Sequence, residues 1–261
     1  MFVAVDARRL RTALGVALLL AGAAVALWAE TRPRPHDAAE LPLDPMPAGA
    51  PGVGAIYRGP SDVPWAALAV NVDWGEEVLP QMLDVLRRHR VRATFFLTGR
   101  WAQKFPELAR RIAREGHEIG NHGWDHLHPK ELDDAELRRM VADNARLLES
   151  LTGRRPTLFA PPYGEVDERV VRLAGAEGHR TVMWTVDTID WEQPPPEVIL
   201  QRVARRLDRG AIVLMHPTPA TVQALPDILR LVAERGLACV TVGEMVAALD
   251  GAGHRVSEPV Q

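Results

Sequence analysis

Short apolar runs alternate with longer amphipathic segments from Trp65 onward, and this alternation constrains the fold more than any other feature of the chain. Strands and helices in this order imply a parallel sheet with right-handed crossovers. A closed or nearly closed barrel fits better than an open sheet, and no Gly-x-Gly-x-x-Gly turn follows the first strand to support dinucleotide binding. The seven predicted strands are Ala66–Val72, Arg92–Leu97, His117–Gly120, Thr157–Ala160, Thr181–Val186, Ala211–Met215 and Leu237–Val242.

The segments between these strands predict helices, because their apolar residues recur at helical spacing. Gly116, Gly178, Gly210 and Gly236 each stand just before a predicted strand, where a glycine ends a helix. The predicted helices are Met82–His89, Leu108–Glu115, Ala135–Leu151, Glu168–Ala176, Val198–Leu207 and Leu225–Glu234.

Composition excludes several classes of protein. A net charge of −3 over 261 residues gives no reason to expect nucleic acid as a partner. The single cysteine, Cys239, excludes an internal disulfide and a cysteine-rich zinc site.

The N-terminal segment predicts a membrane partner. Three arginines precede an uncharged apolar run from Thr12 to Ala29, which is typical of a signal peptide or a signal-anchor helix. We favour a retained anchor, because Leu27 is not the small residue that a cleavage site needs. The remainder is then expected outside the cytoplasm, anchored to the cytoplasmic membrane or secreted to the cell wall. The predicted parts are this segment (1–29), a Pro/Ala-rich linker (30–64), one domain (65–250) and a flexible tail (251–261).

Ionisable side chains follow several predicted strands at the point where each strand ends, and parallel α/β barrels carry their active sites at that edge. His122 and His126, four residues apart in a predicted helical turn, would lie on one face and share one cation. Imidazole ligands suit Zn²⁺, Co²⁺ or Ni²⁺, and Asp73 is the natural third ligand. A bound metal would polarise a carbonyl and make water acidic enough to act as nucleophile.

His216 ends an apolar run and has two interpretations. A lone histidine after a core strand is most often a hydrogen-bonded packing residue, but one that faces the predicted metal could protonate a leaving amine. Trp74 and Trp124 near the strand ends also have two interpretations, since they could stack on sugar rings or pack in the core or a lid.

Five motifs in this order resemble the polysaccharide deacetylases, carbohydrate esterase family 4, over about Ile56 to Leu249. The form of Ile56–Gly59 and Trp74–Glu77 is most similar to the sporulation-associated branch. The motifs are Ala93–Gly99, Gly116–His122 with His126, Pro161–Gly164, Asp187 with Asp190–Trp191, and Val213–His216.

The resemblance implies a distorted (β/α)7 barrel of parallel strands with a divalent metal, usually zinc. It implies hydrolysis of N-acetyl groups on an N-acetylated cell-wall glycan, peptidoglycan-like or chitin-like, with an aspartate as base and His216 as the acid. Together with the positions at the strand ends, it predicts Asp73, His216 and Asp187 for catalysis, and Asp73, His122 and His126 for the metal. The predicted substrate residues are Trp74 and Trp124, from their places near the strand ends, and Pro161, Pro162, Tyr163 and Trp191.

Two positions depart from the family pattern. The family usually has two adjacent aspartates after the first strand, but Trp74 follows Asp73 here. One alignment makes Asp73 the base and leaves the metal a ligand short, and another puts Asn71 at the base position and makes Asp73 the ligand. The family's arginine before the Pro-Pro turn, which orients the base, is Ala160 here.

Three functions therefore stay open at the level of sequence. The first is a metal-dependent deacetylase of cell-wall glycan. The second is a catalytically degenerate family member that binds glycan or a partner without deacetylating it. The third is another metal-dependent hydrolase on a similar barrel that acts on a different amide or ester.

Overall fold

The computed structural model describes residues 54–256. The predicted N-terminal segment, most of the linker and the last residues of the tail lie outside the described residues. Eight strands are present: β1 (Trp65–Val72), β2 (Thr94–Leu97), β3 (Glu118–Asn121), β4 (Leu158–Phe159), β5 (Arg180–Thr181), β6 (Val186–Asp187), β7 (Ala211–Met215) and β8 (Ala238–Val240). Eight α-helices are present in the same range: α1 (Leu79–His89), α2 (Gly99–Lys104), α3 (Pro106–Arg114), α4 (Asp134–Thr152), α5 (Glu168–Ala176), α6 (Pro196–Arg206), α7 (Pro219–Glu234) and α8 (Val242–Val256).

All strands form one parallel sheet, which curls into a distorted barrel and confirms the predicted fold class. The order across the sheet is β5-β4-β3-β2-β1-β7-β6, and β8 pairs with the beginning of β1. No ladder joins β5 to β6 among the residues described, so the barrel is open between these two edge strands.

The predicted strand Thr181–Val186 is wrong as a single element. β5 ends after two residues that pair with β4, and β6 begins at Val186 and pairs with β7. The chain between them crosses from one edge of the opening to the other, where Thr185 donates its N–H to the Ile212 carbonyl. A continuous apolar run does not reveal such a change of partner, because both halves are buried.

The alternation of side chains along β1 separates the two layers of the core. Leu68 and Val70 belong to the cluster under the helices, whereas Ala67 and Ala69 belong to the cluster inside the barrel. Asn71 is the next residue with the parity of Ala67 and Ala69, so the strand carries it on the barrel side. The period of two therefore brings polar groups to the mouth of the barrel directly above an apolar interior.

Part of the predicted linker packs against the domain. Ile56 forms a parallel bridge with Val182, and Gly59 donates its N–H to the Gly210 carbonyl at 2.8 Å. None of the helices in the described part of the chain combines the length and the apolarity that crossing a bilayer requires.

Candidate active site

The carboxyl ends of β1, β3 and β7 meet at one mouth of the barrel, because these strands are parallel and close in the sheet order. Asp73 follows β1, His122 follows β3, and His216 follows β7. The structure thus brings together these three predicted site residues. Their charges are close enough that Asp73 and His216 both act on the pKa of the His122 imidazole.

His122 is buried and held in one tautomer. Its Nδ1 donates to the Ala160 carbonyl at 2.7 Å, which leaves Nε2 without a proton in the neutral ring. Burial lowers the pKa of His122 to about 3, with the neighbouring His126 as a further cause. The ring is therefore neutral at physiological pH, with a lone pair available to a metal.

His126 lies beside His122, but no helical turn connects them, and that prediction was wrong. The segment bends instead, with positive φ at Gly123 (76°) and at His126 itself (54°). The bend places the two imidazoles edge to face with ring centroids 4.9 Å apart. Burial also lowers the pKa of His126. Both imidazoles therefore favour the neutral form, in which a ring nitrogen can ligate a metal.

Asp73 is engaged by an arginine that the sequence analysis missed. Both carboxylate oxygens accept hydrogen bonds from the Arg100 guanidinium, through Nε at 2.7 Å and through a second nitrogen, and Thr98 Oγ1 donates at 2.7 Å. Burial raises the pKa of Asp73, but the bonds and charge of Arg100 and the Thr98 bond outweigh it and leave the pKa below its usual value. Asp73 is thus an oriented, ionised carboxylate.

These residues fit a divalent metal only in part. The two imidazoles are suitable donors, whereas both oxygens of Asp73 already accept hydrogen bonds from Arg100. Within residues 54–256 no group of three or more His, Cys, Asp or Glu side chains is arranged to hold a metal ion. The arrangement therefore offers a pair of nitrogen ligands and does not complete the predicted three-residue site.

His216 is supported by Asp190 rather than by Asp187. The fully buried Asp190 contacts the His216 Nδ1 at 2.7 Å and accepts the His216 backbone N–H at 2.6 Å, and Thr221 donates to it at 2.5 Å. Asp187 instead accepts the backbone N–H of Ile189 at 2.8 Å. The Asp187 side chain is therefore not hydrogen-bonded to His216, and its catalytic role stays a prediction.

Aromatic side chains surround the mouth of the barrel. Trp74 is 43% exposed and stacks on His216, with ring centroids 5.8 Å apart and planes 8° apart. Tyr163, also exposed, lies edge-on to His126 and stacks on His128 at 3.8 Å. These planar surfaces beside the imidazoles suit the flat face of a sugar ring.

The other predicted substrate residues differ in exposure. Trp191 is 55% exposed, whereas Pro161 and Pro162 are buried under the Tyr163 turn. Trp124 is partly buried against the cluster beneath α4, which favours the packing interpretation for this residue. Among the predicted substrate residues, the exposed aromatics are therefore Trp74, Tyr163 and Trp191.

The comparisons with known proteins point to one family. The polysaccharide deacetylase model matches residues 61–182. The chain is 35% identical over 187 residues to a peptidoglycan-N-acetylglucosamine deacetylase of Bacillus cereus, which covers 69% of this chain and 87% of that protein. The chain belongs to the polysaccharide deacetylase family. It is also 40% identical over 191 residues to the uncharacterized protein YlxY of Bacillus subtilis, covering 73% of this chain and 60% of that relative's length.

Solved structures of polysaccharide deacetylases agree with the fold and divide on activity. BA3943 of Bacillus anthracis, a CE4 family pseudoenzyme, is 41% identical with a TM-score of 0.73, and 74% of this chain and 69% of that chain are covered. The Bc1960 peptidoglycan N-acetylglucosamine deacetylase is 34% identical with a TM-score of 0.71, covering 73% and 92%. The family therefore contains similar chains with and without activity.

Arg100 bears directly on the family's missing arginine. In the family pattern described above, an arginine before the Pro-Pro turn orients the base aspartate. Ala160 occupies that position here. The structure supplies a guanidinium to Asp73 from α2 instead. Only a spatial contact between β1 and α2 reveals this pairing, because 27 residues separate the partners along the chain.

Proposed function

We propose that this protein hydrolyses N-acetyl groups on an N-acetylated cell-wall glycan, with Asp73 as general base and His216 as general acid. One observation carries the proposal: an oriented carboxylate and a carboxylate-supported imidazole stand at the same barrel mouth as two neutral imidazoles. The glycan class is supported by the Bacillus cereus relative, which is a peptidoglycan-N-acetylglucosamine deacetylase.

The chain's own residues account for the proton transfers. Asp73, held ionised by Arg100 and Thr98, would accept a proton from water as the oxygen attacks the amide carbon. His216 binds Asp190 through Nδ1, so its Nε2 is the atom that would donate a proton to the nitrogen as the C–N bond breaks. The products are acetate and a free amine on the sugar.

We propose that His122 and His126 hold a divalent cation, Zn²⁺ in preference to Co²⁺ or Ni²⁺. Two neutral imidazoles with Nε2 of His122 available support this assignment. When bound, such a cation polarises the amide carbonyl. The catalytic base assignment for Asp73 follows from the same contacts, because a carboxylate bound at both oxygens by a guanidinium is oriented for proton transfer rather than free to ligate.

We further propose that the protein works outside the cytoplasmic membrane, anchored or secreted, and in the sporulation-associated branch of the family. The support is the apolar run from Thr12 to Ala29 and the resemblance of Ile56–Gly59 to that branch.

Acetate release tests the proposed activity. Purified protein loaded with Zn²⁺ or Co²⁺ should release acetate from peptidoglycan or chitin oligomers, and His216→Asn should lower the rate by roughly 100-fold, since it removes a general acid. His89→Asn, a substitution at an exposed position on α1, is the matched control and should retain full activity. No acetate from any of these substrates would overturn the proposal.

A catalytically degenerate glycan-binding protein is the second candidate, and Trp74 is the observation that favours it. In the alignment that makes Asp73 the base, Trp74 stands where the family has its second aspartate, and its ring stacks on His216. A mutant of the BA3943 pseudoenzyme has restored enzymatic activity and is 39% identical to this chain.

Trp74→Asp separates the two candidates. In a degenerate protein, the new carboxylate should raise the stoichiometry of bound Zn²⁺ toward one per chain and increase acetate release at least tenfold. In an active enzyme, the wild-type protein already binds Zn²⁺ and releases acetate, and the same substitution brings no increase. Elemental analysis and the acetate assay on both proteins give the answer.

A further inference from the structure

A cavity of about 560 Å³ lies at the opposite rim of the barrel, which the proposed deacetylation does not use. It is formed where β2, β3 and β4 begin, between the ends of α3 and α4. Five arginines line it: Arg92, Arg110, Arg114, Arg154 and Arg155. They come from separate parts of the chain, and the fold brings them to one concave surface.

The cavity wall concentrates positive charge in a chain whose net charge is −3. Glu118 is the one carboxylate in the wall, and it is already occupied by Thr94 Oγ1 at 2.6 Å and the Gly243 N–H at 2.8 Å. Burial also raises the pKa of Glu118, although the Thr94 and Gly243 hydrogen bonds oppose the shift. The side chains that line the cavity therefore carry a net positive charge, which three carboxylates outside the lining partly balance through ion pairs.

The ion pairs of the cavity arginines lie at exposed positions, and Arg110 and Arg114 both contact Glu107, whose side chain is 77% exposed. Arg154 has no ion-pair partner among the described residues, and Arg155 has only an exposed contact of 3.3 Å with Glu149. Arg92 pairs with Glu244, and both side chains are more than a third exposed. Exposed ion pairs of this kind stabilise a fold only slightly, so an anion can compete for these guanidinium groups.

His117 adds a buried donor to the same wall. The residue is only 5% exposed, and its Nδ1 accepts the Ala93 N–H at 3.2 Å. The proton of the neutral ring is therefore on Nε2, which has no acceptor in the described part of the chain. Solvent in the cavity reaches this Nε2, so an anion bound there would accept its hydrogen bond.

Helix polarity does not account for this arrangement. Arg114 lies in the last turn of α3, where a cation stabilises the helix whatever the cavity binds, but Arg110 lies in the middle of that helix. Arg92 belongs to no helix, and His117 precedes β3. The convergence of these groups with Arg154 requires another explanation.

We propose that this cavity binds the phosphate group of an anionic ligand. A planar guanidinium makes paired hydrogen bonds with phosphate oxygens, and several such forks around one site favour phosphate over an uncharged sugar. The volume exceeds what one phosphate fills, so the remainder of the ligand occupies the cavity too. Its source is either a soluble phosphate ester or a phospholipid headgroup, which the probes below distinguish.

The test is calorimetric titration of the full chain in a neutral detergent at low salt. The probes are inorganic phosphate, pyrophosphate and dihexanoyl-phosphatidylglycerol below its micelle concentration. The Arg154→Gln, Arg155→Gln double variant should weaken binding of the preferred probe at least tenfold. The matched control is Arg205→Gln, Arg206→Gln, which removes two exposed arginines on α6 outside the cavity and should leave the Kd unchanged.

Each outcome decides the proposal. Tightest binding of inorganic phosphate or pyrophosphate assigns a soluble phosphate ester, and tightest binding of the lipid probe assigns a headgroup. The proposal is overturned if no probe binds with a Kd in the millimolar range or tighter. It is also overturned if both double variants lose affinity equally, because an equal loss reports the net charge of the chain rather than a site. A thermal melt of each variant shows that it is folded, and Arg114→Gln gives an independent loss if the first double variant fails to fold.

Discussion

At the scale of single residues, Arg100 determines what Asp73 can do. A guanidinium that binds both carboxylate oxygens keeps the group ionised and fixes its orientation, which favours a base. The same contact occupies both carboxylate oxygens, so Asp73 is less available as a third ligand beside the two imidazoles. The loss of the family's arginine at Ala160 and the presence of Arg100 are thus two parts of one rearrangement.

Arg100→Gln should lower kcat for acetate release roughly tenfold to 100-fold and change KM little, because it disturbs a base that acts in proton transfer rather than substrate binding. Arg100→Lys should recover only part of the loss, since an ammonium cannot make the paired hydrogen bonds. Steady-state kinetics on peptidoglycan or chitin oligomers measure both effects.

Arg88→Gln is the matched control, because Arg88 is exposed in the last turn of α1 and is not among the residues that bind Asp73. An Arg100→Gln enzyme with wild-type kcat would show that Asp73 is not oriented by this arginine.

At the scale of elements, α4 fixes the chain around His122. Its buried Asn144 donates to the Gly123 carbonyl at 2.8 Å and to the Leu97 carbonyl at 2.9 Å, which also accepts the His122 N–H. The helix begins with a capping box, in which Asp133 accepts the Glu136 N–H at 2.7 Å and Glu136 accepts the Asp133 N–H. The stability of this helix start is therefore coupled to the geometry of the site.

Asp133→Ala should lower the free energy of unfolding by about 1 kcal/mol, because two backbone N–H groups lose their side-chain acceptors or the geometry that supports them. Urea unfolding followed by circular dichroism measures the change. Asp143→Ala, on the exposed face in the middle of the same helix, removes an equal charge and should cost clearly less. Equal losses in the two variants would argue against the cap.

Elements were predictable from the sequence where one local pattern determines them. The predicted helix Ala135–Leu151 lies within Asp134–Thr152, and the predicted strand Ala211–Met215 matches β7. The helical turn at His122–His126 failed, because positive φ at two positions, rather than spacing, brings these rings together. Arg100 was missed for a related reason, since its pairing with Asp73 exists only after β1 and α2 are placed side by side.

At the scale of the whole molecule, the two rims of the barrel carry opposite chemistry. The carboxyl ends of the strands hold carboxylates and imidazoles, and the amino ends hold the arginine-lined cavity with His117 beside Glu118. The apolar interior of the barrel, which includes Phe96 and Ala69, separates the two rims. Because His117 is neutral in the fold, the amino-terminal rim also makes the stability of the entire barrel depend on pH.

Burial lowers the pKa of His117 from 6.5 to about 4, with Glu115 opposing and Arg92 adding to the shift. The unfolded chain therefore binds more protons than the folded chain between these values. Stability is fully present above pH 6.5 and falls as the pH drops toward 4, by up to about 3 kcal/mol for this residue. His117→Gln has no titrating ring and should flatten that part of the curve.

Urea unfolding at half-unit steps from pH 7.5 to pH 4 measures the difference between wild type and variant. His89→Gln, at an exposed position on α1, is the control and should follow the wild-type curve. Because glutamine can still accept the Ala93 N–H, the variant separates the effect of titration from that of the lost hydrogen bond. Parallel curves for wild type and His117→Gln would mean that the pKa of this imidazole is the same in the folded and the unfolded chain, and the pH dependence assigned to its burial would then be wrong.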